Sequence, residues 1–303
     1  MASTSIFPQK DPVVDAPRPG ARRILGRVNW SLVLGIGLLL GILLFGTAGR
    51  LLVSRDGMKL GASDFAAPPS RQNPLGTDTA GRSVLVMMIY GTLPTLTIGL
   101  IAGGVGTIVG ASLGLIAGYY GGPIDTVLHS VADILLGVPS LMVLVVFASY
   151  LGDMSIVTMS AIIAFFAWPW PARSVRSQTL SMRELAYVEM AKLSGCSDLE
   201  IIFQELMPNL LPYIASSFVR AVSQGIMASV GLQMLGLGSL TLITLALMLS
   251  NAFSSAALTR GLWWWWLPST IVLTILFIAL FLVTLSLDEA ANPRLKAARR
   301  GGE

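Results

Sequence analysis

The sequence predicts an all-α polytopic membrane protein of six transmembrane helices, with a soluble helical stretch between the fourth and the fifth. Three observations carry this expectation. Of 303 residues, 54% are hydrophobic and only 12% are charged, about half the charged share of a soluble domain. Apolar runs of roughly 20 residues recur, each long enough to cross about 30 Å of hydrocarbon at about 1.5 Å per helical residue. A membrane β-barrel would instead show segments of about ten residues with alternating polarity, and the chain has no such pattern.

The same composition narrows the function. Net charge is only +4 and the basic residues are scattered, which fits membrane topology and lipid contact and argues against a nucleic-acid surface. Cys196 is the one cysteine and His129 the one histidine. An internal disulfide is therefore excluded, no metal site is expected, and both residues read as structural.

In order, the spans fall at about 30–49, 94–118, 131–150, 155–170, 213–238 and 266–287. The polar, Pro-rich residues 1–28 are too long and too polar for a cleaved signal peptide, so the first span is expected to remain as an anchor. Lys10, Arg18, Arg22, Arg23 and Arg27 precede span one; Arg173, Arg176, Arg183 and Lys192 lie between spans four and five; Arg294, Lys296, Arg299 and Arg300 follow span six. Six crossings put all three groups on one side, and the positive-inside rule makes that side cytoplasmic. Arg50, Arg55, Lys59, Arg71 and Arg82 fall in a long external loop, where the rule counts for less. The chain thus divides into a cytoplasmic segment (1–29), the first span (30–49), an external loop and pre-span segment (50–93), a core (94–287) with a cytoplasmic loop at 171–212, and a cytoplasmic tail (288–303).

Residues 239–259 are apolar enough to resemble a seventh span, but a seventh crossing would carry the basic C-terminus outside, so they read as an external loop with a helical or re-entrant piece. Trp263 to Trp266 open span six. They read as an interfacial anchor, with an aromatic substrate platform as the alternative. Span two carries glycines at 99, 103, 106, 110, 114 and 118. That stripe suits the close approach of another helix, in this chain or in a second subunit.

The soluble stretch YVEMAKLSGCSDLEIIFQELMPN (187–209) reads as helix, sharp turn, helix. Ser181 and Glu184 have capping-box spacing, so a helix is expected to start there and to close at Gly195. Ser197 and Glu200 repeat the box and start a second helix, expected to stop before Pro208. Leu199, Ile202, Phe203 and Leu206 fall at i, i+3, i+4 and i+7, one apolar face. Burying each is worth roughly 1.5–3 kcal/mol, so the face should dock either on this protein's own spans or in a groove of another protein.

At this point the sequence resembles a family: the permease subunits of ATP-binding-cassette importers, which carry a cytoplasmic E-A-A, three residues, Gly, and a terminal L-P-N. Here Glu189-Met190-Ala191, Gly195 and Met207-Pro208-Asn209 stand in those places; Met190 replaces a small residue, and Glu205 stands where many members are basic. NPLGTDTAGRSVL (73–85) is similar to the segment marking the C-type permeases of dipeptide, oligopeptide and nickel importers, with Asn73 for His and Ser83 for Asp. GYYGGPIDTVL (118–128), Asp133, Pro139 and Ser140, LGLG (235–238) and DEAANPRL (288–295) extend the likeness in order along the chain.

The resemblance implies a type I importer permease fold in a bacterial inner membrane, with both termini cytoplasmic. It implies a heterodimer with a second permease subunit, two ATPase subunits that bind ATP and Mg, and an extracytoplasmic substrate-binding protein. It makes 197–206 a coupling helix, with Glu189, Ala191, Gly195, Ser197, Leu199, Glu200, Ile202, Phe203, Leu206, Pro208 and Asn209 the ATPase-coupling residues. The cargo it implies is a di- or oligopeptide, with nickel chelates or oligosaccharides as alternatives.

The chain has no G-x-x-x-x-G-K-[ST] loop, so ATP chemistry must come from a partner and this chain is expected to bind no cofactor and catalyse nothing. It also lacks H-E-x-x-H and G-x-S-x-G, which argues against a membrane hydrolase. The rival from another class is an ion-coupled secondary transporter, which would carry mid-membrane acids, whereas Asp125 and Asp133 lie near span ends. Asp78 and Arg82 read either as an external gate or binding-protein contact or as a turn cap with a local ion pair. Arg220 reads as snorkelling to the cytoplasmic interface or lining the path.

Overall fold

The computed structural model describes residues 29–152, 154–238 and 242–291. The basic groups before span one and after span six, and the end of the DEAANPRL segment, lie outside the described residues. Among the described residues every regular element is helical, and the one β feature is an isolated bridge between Thr77 and Ser83 in the loop that follows Met58. Its elements are α1 (Trp30–Leu52), a 3₁₀ turn (Arg55–Met58), α2 (Val84–Tyr120), α3 (Gly122–Gly137), α4 (Ser140–Leu151), α5 (Ile156–Ala167), α6 (Pro169–Met182), α7 (Ala186–Leu193), α8 (Asp198–Glu200), a π-helical turn (Ile201–Leu206), α9 (Met207–Met234), α10 (Leu245–Ser254) and α11 (Trp263–Ala291).

Three of these helices, α1, α2 and α11, are individually long and apolar enough to cross a membrane. A fourth span exists if α3 and α4, bent by 81° at Val138 and Pro139, count as one broken crossing. The expected fourth span (155–170) corresponds to α5, which ends at Ala167; α6 starts at Pro169 and runs beyond that span. α9 is long, but Asn209, Ser216, Ser217, Arg220, Ser223 and Gln224 dilute its apolar character.

Two expected boundaries move for identifiable reasons. α2 begins at Val84 rather than near 94, and Pro94 lies inside it. Proline removes the bond to the carbonyl four residues earlier, and here Arg50 Nη2 donates to that Tyr90 carbonyl at 2.8 Å. At residue 181 no helix starts: Ser181 is still in α6, its Oγ donates to Ser177 O at 3.3 Å, and α7 opens only after Leu185.

α2 is the central strut, and its glycine stripe is what lets it be so. A Cβ on Gly99 or Gly103 would strike α9 at Ile226 or Val222. One on Gly106 would lie 2.6 Å from Ala167 Cβ, and one on Gly118 2.6 Å from Thr179 Cβ. The close neighbours are thus α5, α6 and α9 of the same chain.

At one end of the bundle α10 is inserted among α2, α9 and α11, with Leu245, Ala246, Met248 and Leu249 buried. The helical piece expected within 239–259 is therefore α10; residues 239–241 lie outside the described residues. The tryptophans divide rather than forming one belt: Trp265 is core, Trp264 Nε1 donates to Thr77 O at 3.3 Å, and Trp263 is exposed. At the opposite end Tyr213 OH donates to Ala291 O at 2.8 Å, and Arg220 pairs with Asp288 while its guanidinium sits 5.3 Å from the Trp170 ring centroid.

Candidate functional site

The loop between α6 and α9 is a compact unit built by local chemistry. α7 ends in a Schellman motif: Gly195 has φ +82°, Cys196 N–H donates to Ala191 O at 3.2 Å, and Gly195 N–H to Lys192 O at 3.1 Å. α8 opens on a complete capping box. Ser197 N–H donates to Glu200 Oε2 at 2.7 Å, and Glu200 N–H donates to Ser197 Oγ at 3.3 Å. The backbone N–H of Ser197, then its hydroxyl, hold the Glu200 carboxyl below its ordinary pKa.

The second helix does not stop before Pro208. α8 passes through the π turn straight into α9, with Met207 N–H donating to Ile202 O, five residues back. The wider turn gives room where Pro208 and Pro212 lack N–H groups and their rings would crowd the carbonyls one turn earlier. Asn209 Nδ2 donates to Glu205 O at 2.7 Å across the same junction.

This turn also redistributes the expected apolar face. Ile201, Ile202, Leu206 and Leu210 are buried with Ala111, Leu115 and Tyr119 of α2, Val175 of α6 and Val188 of α7. Leu199 and Phe203 point out, 63% and 59% exposed. Of the residues named from sequence, Ile202 and Leu206 thus face the protein's own core. Ala191 is half-buried, and Glu189, Gly195, Ser197, Leu199, Glu200, Phe203, Pro208 and Asn209 are exposed. Leu185, Met190 and Leu193 are also exposed. Sequence reasoning treated Met190 only as a departure from a motif, although an apolar residue three positions from Leu193 on a short helix was a legible signal. Glu189 has no ion-pair partner among the described residues.

At the far end, Asp78 and Arg82 form a closed turn. Asp78 is fully buried; its Oδ1 accepts from the Ala80 and Arg82 N–H groups at 2.9 and 2.8 Å, and its Oδ2 takes Arg82 Nε at 2.6 Å. This is the geometry of a turn cap and local ion pair. Asp125 and Arg176 make a two-pronged pair joining α3 to α6, with Arg176 Nη2 2.6 Å from Asp125 Oδ2.

Between the α3–α4 bend, α5, α6 and α9 lies an open groove of about 610 Å³. Leu136, Val138, Ser140 and Leu141 form the bend side, Phe166 and Trp170 the floor, and Gln224 and Met227 the α9 side. Among the described residues no charged side chain lines it.

A bundle with a bent helix pair beside an open groove, and a capped, apolar-tipped loop at one end, has the form of a transport subunit. Residues 110–297 match the family described as binding-protein-dependent transport system inner membrane component. The match spans more than half of the chain, and the protein belongs to that family. It is therefore a non-catalytic, multi-pass inner-membrane permease component of a binding-protein-dependent ABC importer, which replaces the ion-coupled alternative. The chain is 29% identical over 231 residues to the oligopeptide transport system permease protein OppC of Lactococcus lactis subsp. cremoris, covering 76% of this chain and 78% of that one. It is 30% identical over 171 residues to the glutathione transport system permease protein GsiD of Pectobacterium atrosepticum, 56% of each. A chain of the MetNI methionine ABC transporter in inward-facing conformations matches with TM-score 0.51 at 17% identity, over 68% of this chain and 94% of that one. That likeness concerns the fold alone.

Proposed function

We propose that the chain is one of two permease subunits of an ATP-driven importer of di- and oligopeptides. It crosses a bacterial inner membrane six times, with α3–α4 as a broken span and both termini cytoplasmic. The loop 171–212 engages an ATPase subunit; a second ATPase serves the partner permease, and both bind ATP and Mg, while this chain binds no cofactor. An external binding protein delivers cargo to the opposite face.

The observation that carries the coupling assignment is the split of the apolar face. Ile201, Ile202 and Leu206 are spent on the protein's own core, yet Met190, Leu193, Leu199 and Phe203 stand out together from one capped unit. Exposed apolar groups on a capped helical platform are the features of a helix set into a partner's groove. Glu189, exposed and with no ion-pair partner among the described residues, would meet a basic residue there. Peptide cargo is favoured by relatives named for oligopeptides and glutathione and by a groove that has no charged lining among the described residues and is bordered by a broken helix. A bend in a span frees backbone groups where they line a cavity, and Gln224 adds an amide.

The test is ATP-dependent uptake of labelled short peptides into proteoliposomes holding the complex purified with its partners. Glu189→Ala and Phe203→Asp should lose uptake and ATPase retention. Unchanged retention in both variants would defeat the coupling assignment; an ATP-hydrolysing complex that takes up no peptide would redirect the cargo to metal chelates or oligosaccharides.

A further inference from the structure

Tyr119 is the penultimate residue of α2, in the GYYGGPIDTVL segment to which no role has been given. All parts of the loop meet on it. Its hydroxyl donates to Asp198 Oδ1 of α8 at 2.6 Å. Lys192 Nζ of α7 lies 5.3 Å from its ring centroid. Arg183, at the end of α6, donates to the Gly118 and Tyr119 carbonyls at 3.1 and 3.5 Å. Its ring is buried in one apolar cluster with Val188, Ile201 and Ile202.

The loop's two attachments to the bundle are unequal. Toward α9 it continues through the π turn, whose wide i→i+5 bonding interrupts the regular helical ladder and recurs at functional sites. Toward α2 it is held by the Tyr119 hydrogen bond to Asp198, the Lys192 cation over the Tyr119 ring, the Arg183 bonds to the Gly118 and Tyr119 carbonyls, and apolar packing on Ala111, Leu115 and Tyr119. Among these, Tyr119 is the one side chain that combines a polar bond, a cation contact and burial. α2 is one helix of 37 residues, about 55 Å long at 1.5 Å per residue. At its other end Val84 N–H donates to Gly76 O at 3.1 Å, beside the buried Asp78 turn.

Resting on the permease reading above, we infer that Tyr119 is a positioning residue that carries displacement of the coupling loop into α2 through Asp198, and so to the binding-protein side. It touches neither ATPase nor cargo. Its removal therefore uncouples hydrolysis from transport without releasing the ATPases.

The experiment uses the full complex in proteoliposomes, with Tyr119→Phe, Asp198→Ala and Asp198→Asn. Two ratios are read: peptide taken up per ATP hydrolysed, and hydrolysis with against without binding protein. Tyr119→Phe should keep the ATPases and basal hydrolysis while both ratios fall about tenfold, within the usual range for coupling between two sites; Asp198→Ala should lower both ratios by a similar factor. Asp198→Asn keeps an acceptor oxygen and should stay within about twofold of wild type, which a merely structural role for the carboxylate charge would not give. Wild-type ratios in Tyr119→Phe, loss of ATPases from it, or Asp198→Asn as impaired as Asp198→Ala would each overturn the inference. The binding-protein ratio needs no peptide, so a wrong cargo leaves it readable; a wild-type chain that retains no ATPase defeats the permease reading and this inference together.

Discussion

Leu206 and Phe203 lie three residues apart on one predicted apolar face, and the structure assigns them opposite duties. Leu206 has no exposed surface and packs with Leu115, Val175 and Ile201; Phe203 is 59% exposed. Leu206→Ala should cost the permease about 2–5 kcal/mol, the transfer and cavity terms for a buried leucine. Phe203→Ala removes a larger side chain from a site with no cavity to leave, so the permease alone should change by only about 0.5 kcal/mol. Thermal unfolding of the purified permease pair reads the first quantity, and retention of the ATPase during co-purification reads the second. Leu206→Ala should lower the unfolding temperature, while Phe203→Ala should leave it and release the ATPase. Equal destabilisation by the two, or ATPase retained by Phe203→Ala, would refute the division of the face.

Gly114→Ala would set a Cβ against the Ala172 carbonyl and should cost about 1–3 kcal/mol by overpacking. Gly104→Ala meets only Phe218 Cε2 at 3.8 Å and should be neutral or gain up to about 1 kcal/mol in the same unfolding assay. Asp78→Ala leaves Arg82 without its buried partner and should cost about 3 kcal/mol, read as faster proteolysis within residues 55–83. The Glu200 carboxyl is held below its ordinary value of 4.5 by Ser197. Its cap is therefore fully present above that value and lost as pH falls through the lowered one, so backbone exchange at Ser197 and Glu200 should rise relative to intrinsic rates only at the acid end of the range.

Features set within a few residues were legible in the sequence. The Ser197–Glu200 capping box and the Gly195 closure need only near neighbours, and both stand as expected. The equally spaced Ser181 and Glu184 did not start a helix, because α6 runs on to Met182 and takes Ser181 into its own last turn. The glycine stripe announced close packing but could not name its partner, since a missing side chain says nothing about which backbone arrives.

What the sequence determined by itself was therefore the helical membrane class, the order of apolar runs and the capped helix-turn-helix between them, because hydrophobic length and local hydrogen bonding are properties of contiguous residues. Tertiary structure alone decided which apolar side chains turn inward. The π turn at Ile201–Leu206 shifts the register of the face that regular helical spacing implied, and α2 supplies the surface that takes Ile202 and Leu206. The hydrogen bond between Tyr119 and Asp198 joins residues 79 positions apart. No periodicity spans that distance; the fold brings the two together.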